Sequence, residues 1–160
     1  MSERSNDARE RSRLRRAWSG TVPIADAMAV GGRTYLRGRG IPAEAAEAAR
    51  LRYAGLWGEE DEYAGPAVVF PLQDEGGKLV AAAGRFLAPP SDVEKTQSAG
   101  SKSRGVFEAL PGALDAEGVI ICEGPLAALS VATCDYPEPG LEPGAVCVRL
   151  LVKLPRCLCL

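Results

Sequence analysis

Residues 67–87, "AVVFPLQDEGGKLVAAAGRFL", constrain the fold more than any other stretch of the chain. Two apolar runs flank Asp74-Glu75-Gly76-Gly77, a cluster of turn formers, so the segment reads as strand, tight turn and strand. Asp74 is a turn residue by this reading, because its short side chain can bond to the backbone two residues on. Phe70 and Pro71 are expected as core and strand-end residues. The flanking segments change period. Upstream, "ARERSRLRRAW" places Leu14 and Trp18 four residues apart on one helical side with arginines around the rest. "PIADAMAVGGRTYLRGRGIP" holds a second short helix and a glycine break. "PAEAAEAARLRYA" is an Ala/Glu-rich helix opened by Pro42, and "GLWGEEDEYAGP" is an acidic loop.

Downstream, "APPSDVEKTQSAGSKSRG" reads as a polar loop, long for a compact domain and of the kind that is functional or disordered. "VFEAL" is a short helical or strand piece and "GALDAEG" a connector. "VIICEG" is a buried strand by its β-branched run, followed by the helix "PLAALSVATC", the loop "DYPEPGLEPG" and a strand in "AVCVRLLV". Strand, helix and strand in succession predict a parallel α/β unit. Two strands alone would leave an apolar edge open, and the tail "VRLLVKLPRCLCL" ends without a polar cap. The expectation is a chain whose C-terminus departs from what the fold would supply, as in a truncated or frameshifted continuation.

Charge is unevenly spread. Residues 1–52 carry 11 arginines and no lysine against six acids, whereas residues 53–160 carry eight basic and 15 acidic groups. Arginine suits phosphate, because its planar fork binds two oxygens at once; a solvated helix face is an equally good reading of Arg9 to Arg16. With no histidine and five scattered cysteines, neither imidazole chemistry nor a four-ligand zinc site is indicated. Cys157 and Cys159 alone are close. The odd cysteine count fits reduced thiols in a cytoplasm. A charged N-terminus and the lack of an apolar run of about 20 residues argue against secretion and membrane insertion.

Glu123, at the corner of "GVIICEGPLAALSVA", is open to two readings: a cap for the following helix, where an acid also suits the dipole, or a ligand. A resemblance bears on the choice. "RTYLRGRGIPAEAAEAARLRYA" followed by the hairpin resembles the N-terminal lobe of the catalytic core of bacterial-type DNA primases. "EKTQSAGSKSRGVFEA" is similar to the next motif of that family, and "GVIICEGPLAALSVA" to the first motif of the Toprim fold. With "RLRRAWSGTVPI", the series most resembles the primase-like Toprim proteins of phages, plasmids and other mobile elements, collinearly over residues 10 to 148.

The resemblance implies an α/β chain. A basic N-terminal helix or tail (1–20) would precede a primase-core-like lobe (21–112) of α+β type and an incomplete Toprim α/β unit (113–160). It implies RNA primer synthesis on single-stranded DNA from nucleoside triphosphates, with Mg²⁺ or Mn²⁺ as cofactor and a replicative helicase as a further partner. Glu123 would be the catalytic carboxylate and metal ligand, and Gly124 the point where phosphate approaches the backbone. Arg85 and Lys95 match positions where the family directs basic side chains at phosphates. Lys102 and Arg104 share that loop, where a surface role and a phosphate role stand equal. No Asp-x-Asp, the family's second metal motif, occurs in the 160 residues, and Ala127 and Ala128 stand where the family has a further acid. A non-catalytic nucleic-acid-binding module is therefore the alternative. A Toprim nuclease or topoisomerase leaves the "FPLQDEGGKLVAAAGR" lobe unexplained.

Overall fold

The computed structural model describes residues 3–58, 62–112, 120–133 and 150–152. Helix α1 (Glu3–Ser19) leads into strand β1 (Val22–Pro23), a 3₁₀ turn (Ala27–Ala29) and helices α2 (Val30–Arg37) and α3 (Ala43–Ala48). Strands β2 (Arg52–Trp57), β3 (Gly65–Gln73), β4 (Leu79–Phe86) and β5 (Thr96–Gly100) follow. Then come a 3₁₀ turn (Lys102–Arg104), β6 (Phe107–Glu108), β7 (Ile120–Ile121), α4 (Pro125–Thr133) and β8 (Leu150–Val152). The fold class is mixed α/β, as the sequence predicts. The connector, the Pro-rich loop and the tail beyond Val152 lie outside the described residues.

Strands β1 to β5 form one antiparallel sheet in chain order. The predicted hairpin is its centre: Val68 pairs with Arg85, Phe70 with Ala83 and Leu72 with Ala81. Asp74 Oδ1 accepts from the amides of Gly76 (3.0 Å) and Lys78 (2.9 Å), and Gly77 takes the left-handed φ of +76° that closes the turn. Pro71 lies inside β3, where it pairs with Ala82, rather than at the strand's end. It is tolerated because β2 pairs β3 only as far as Val69, so the missing N–H falls on an unpaired side.

Alternation along the strands sorts the core into two layers. Ala67, Val69, Ala82 and Phe86 face α1, meeting Leu14 with Ala54, Trp57 and Ala99. Val68 and Phe70 face the opposite way, into Ile24, Leu36, Ile41, Leu51, Phe107, Ala128 and Leu129. The second layer joins the large sheet to the C-terminal elements. Phe70 and Phe107 meet edge to face at 5.4 Å, an arrangement worth about 0.5–1.5 kcal/mol beyond burial.

The C-terminal elements form a three-stranded sheet in the order β6-β8-β7. Strands β7 and β8 are parallel and flank the predicted strand–helix–strand unit, and β6 pairs antiparallel with β8. Strand β6 thus adds a third strand to the expected pair, β8 is central, and β6 and β7 are the two edges of the described sheet.

Three further expectations are corrected. The loop 88–105 contains β5, which pairs Thr96–Gly100 against Ala81–Arg85. The helix over 42–54 stops early, because Arg50 adopts a left-handed φ of 57° and Leu51 turns back to bond Ala46; β2 then begins inside the expected helix and continues into the expected acidic loop. Finally, Gly31-Gly32 does not break α2. A Cβ on Gly32 would lie 3.0 Å from Ile24 Cδ1 and from Tyr53 Cδ2, so glycine lets the helix sit close on the sheet.

Candidate functional site

Arg85 occupies the end of β4 on the face shared with α2. It is half-buried, and its Nε donates to Tyr35 Oη at 3.3 Å. The guanidinium of Arg39 lies over the same tyrosine ring, 5.2 Å from its centroid, a cation–π distance. Two arginines thus converge on Tyr35. The sequence reading named only Arg85; Tyr35 and Arg39 are in "RTYLRGRG", a segment quoted for resemblance but given no role. Across the ladder, Ser98 pairs with Ala83 and so shares the face of Arg85. Its buried Oγ has no hydrogen-bond partner among the described residues.

Lys95 is exposed just before β5, and its carbonyl accepts from Phe86 N at 3.1 Å, which keeps it at the Arg85 end of the sheet. Lys102 and Arg104 are exposed on the 3₁₀ turn at the other end of β5. Five strand residues, a span of roughly 17 Å, separate them from Lys95. Arg104 Nη1 lies 4.0 Å from Asp7 Oδ2 of α1, both side chains being more than half exposed. Such a surface pair contributes little to stability. The four basic residues of the sequence reading therefore divide into two ends rather than one cluster.

Glu123 is exposed where β7 gives way to α4. Its carboxylate accepts no hydrogen bond from the first turn of α4, so the capping reading finds no bond behind it among the described residues. The first helical bond is made by the chain itself, from Ala128 N to Gly124 O at 3.0 Å. A Cβ on Gly124 would meet nothing within 4 Å, so the backbone there is open to an approaching group. Helix α4 is anchored through Ala128 and Leu129 in the same core layer as Phe70, which fixes the corner carrying Glu123. Among the described residues, neither a salt bridge nor a hydrogen bond joins Glu123 to Arg85, Lys95, Lys102 or Arg104.

The donor set bears on the implied divalent ion. No group of three or more His, Cys, Asp or Glu side chains able to hold a metal is found among the described residues. Mg²⁺ keeps several waters and is commonly held by one or two carboxylates together with substrate phosphates. Glu123 fits one place in such a shared shell, not a complete protein cage. Cys122, beside it, is half-buried with its thiol pushed up by desolvation, and its soft sulfur does not suit a hard ion such as Mg²⁺.

Solved structures share this fold. A DnaG primase catalytic domain bound to single-stranded DNA superposes with a TM-score of 0.56 at 16% identity, over 93% of this chain and 57% of that one. A DnaG catalytic core gives 0.55 at 15% identity, over 91% and 53%. The Escherichia coli primase catalytic core gives 0.51 at 18% identity, over 79% and 49%. The chain spans about half the length of these proteins. Its fold is primase-like, of the Toprim type. By sequence, the chain belongs to the family described as Domain of unknown function (DUF7146), whose model matches residues 8–113. The sequence matches no curated protein.

Proposed function

We propose that this chain is a primase-like Toprim protein that takes part in RNA primer synthesis on single-stranded DNA from nucleoside triphosphates. The observation that carries the reading is the Glu123 corner. An exposed carboxylate, without a hydrogen-bond or ion-pair partner among the described residues, stands between a parallel strand and a helix packed into the core, within a primase-like fold. One of the similar structures is a primase bound to single-stranded DNA, which supports the same substrate here. A divalent ion, Mg²⁺ or Mn²⁺, would supply stabilisation of the negative charge on phosphate when bound. Glu123 would hold one side of that ion, with Gly124 leaving room for phosphate. Arg85, with Tyr35 and Arg39 behind it, would hold the strand or the incoming nucleotide from the sheet, and Lys95 would extend that end. Lys102 and Arg104 would meet phosphate farther along β5.

Residues 1–20, 21–112 and 113–160 are proposed as the basic helix, the primase-core-like lobe and the Toprim part. The setting proposed is DNA replication in the cytoplasm, in a mobile-element type of primase that works with a helicase. Among the described residues, no helix is long and apolar enough to cross a membrane.

The test is template-dependent incorporation of labelled ribonucleotides by the protein in its full natural length, with Mg²⁺ or Mn²⁺. Glu123→Gln should lower incorporation by at least about 10²-fold, since even residues that only support metal ligands cost 10–100-fold. Undiminished incorporation by that variant would remove Glu123 from the chemistry. A protein that binds single-stranded DNA but incorporates nothing under any divalent ion would favour the non-catalytic binding module.

A further inference from the structure

The sheet has a second cationic face, opposite the one that carries Arg85. A groove of about 740 Å³ runs between α1 and the ends of β2 and β5. Arg9, Arg13 and Arg16 recur at i, i+4 and i+7, so they form one stripe on α1, and all three line this groove. Seven residues of helix put Arg9 and Arg16 about 10 Å apart along the axis. A stacked single strand carries a phosphate every ~3.4 Å, so the stripe is about three phosphates long.

The opposite wall restricts what can enter. Strand β5 is an edge strand of its sheet, and an open edge would invite an added peptide strand. Here one edge carbonyl is already taken, since Arg13 Nη2 donates to Ser98 O at 3.3 Å, and the Trp57 indole closes the floor beside it by donating Nε1 to Gln97 O at 3.1 Å from the face of the sheet. Leu56, 74% exposed, adds an apolar surface at the groove. A stripe of guanidinium groups about three phosphates long, an edge carbonyl already occupied and an apolar ledge suit a chain with charged backbone and flat bases. We infer that the α1–β5 groove binds the phosphodiester backbone of single-stranded nucleic acid, as a site separate from the Glu123 and Arg85 face. The inference does not depend on nucleotidyl transfer.

The experiment is fluorescence anisotropy of labelled oligothymidylate with the 160-residue chain, as a function of salt. Arg9→Gln/Arg16→Gln is the informative variant, because both positions are exposed and glutamine is a good helix former. Arg13 is left intact, since it ties α1 to β5. Losing two single-strand phosphate contacts should flatten the log–log salt slope by about 1.4. Between about 50 and 200 mM salt the wild type should then lose about sevenfold more affinity than the variant. The same loss should appear on an Arg85→Gln background, because the two faces are separate. Unchanged slope and affinity in the double variant, with an unaltered circular dichroism melt, would overturn the inference. So would competition by polyglutamate as strong as that by unlabelled oligonucleotide, which would point to an acidic protein instead. A primer-synthesis assay that fails while the slope still changes would sink the proposed activity and leave this groove standing.

Discussion

Gly84→Ala probes how the large sheet is stitched together. Gly84 is in β4 between Val69 and Gln97, and the Trp57 indole crosses directly over it. An added Cβ would lie 2.2 Å from Trp57 Nε1 and 2.4 Å from Cδ1, so the ring must move. Trp57 is only 3% exposed, and its Nε1 bonds Gln97 O, so displacement loses both packing and that hydrogen bond. Overpacking of this kind costs about 1–3 kcal/mol and the bond about 0.5–1.5. Replacing a strand glycine gives back about 0.4–1 kcal/mol from the unfolded chain. The expected net is a destabilisation of about 2–3 kcal/mol. With a urea m-value of roughly 2 kcal/mol/M, the midpoint should fall by about 1 M or slightly more. The decisive control is the same substitution on a Trp57→Leu background, where the ring is gone. There Gly84→Ala should be neutral or mildly stabilising. A loss below about 0.5 kcal/mol in the wild type, or an equal loss on both backgrounds, would refute this packing.

Other consequences follow from single contacts. Asp74→Ala removes the acceptor of two turn amides and should lower stability by about 1 kcal/mol in urea melts, while Asp74→Asn should restore most of it. Arg33 Nη1 donates to the carbonyls of Ile24 and Asp26 under α2. Arg33→Met should therefore cost about 2 kcal/mol despite the lost charge lying in an arginine-rich region, and a thermal melt will show it. Burial raises the Cys122 pKa, so the thiol is neutral in both folded and unfolded chains only below the ordinary thiol pKa, and above it the unfolded chain ionises first. Alkylation of Cys122, followed by peptide mapping, should accelerate only at higher pH than for a free cysteine; the ordinary pH profile would contradict its burial.

The hairpin was legible because its signals are local: two apolar runs and an Asp-Glu-Gly-Gly turn specify one register. The strand–helix–strand unit was legible for the same reason, through β-branched residues meeting a small-residue helix at a Gly-Pro corner. What failed depended on tertiary context. "TQSAG" has neither alternation nor bulk, and becomes β5 because β4 offers a free edge and Leu14 of α1 approaches at Gly100. Gly31-Gly32 reads locally as a helix break and is instead a contact surface for Tyr53 and Ile24. Arg50 ends α3 in the left-handed region with no glycine to announce it.

The site was legible in part. Resemblance singled out Glu123 and Arg85, but Tyr35, with Arg39 over its ring, meets Arg85 only after the fold closes a 50-residue separation. Charge composition was the coarsest guide. Arg52, counted with the basic half, bonds both Thr21 oxygens and stacks over Trp18, so it is structural.

The central claim is that the Glu123 carboxylate receives a divalent cation in company with phosphate. Paramagnetic line broadening by Mn²⁺ in amide NMR spectra of this chain, with a nucleoside triphosphate present, reads that contact directly. The account predicts that broadening is greatest around Ile121 to Ala127 and disappears in Glu123→Gln. Broadening centred on other carboxylates, or unchanged by that substitution, would contradict it.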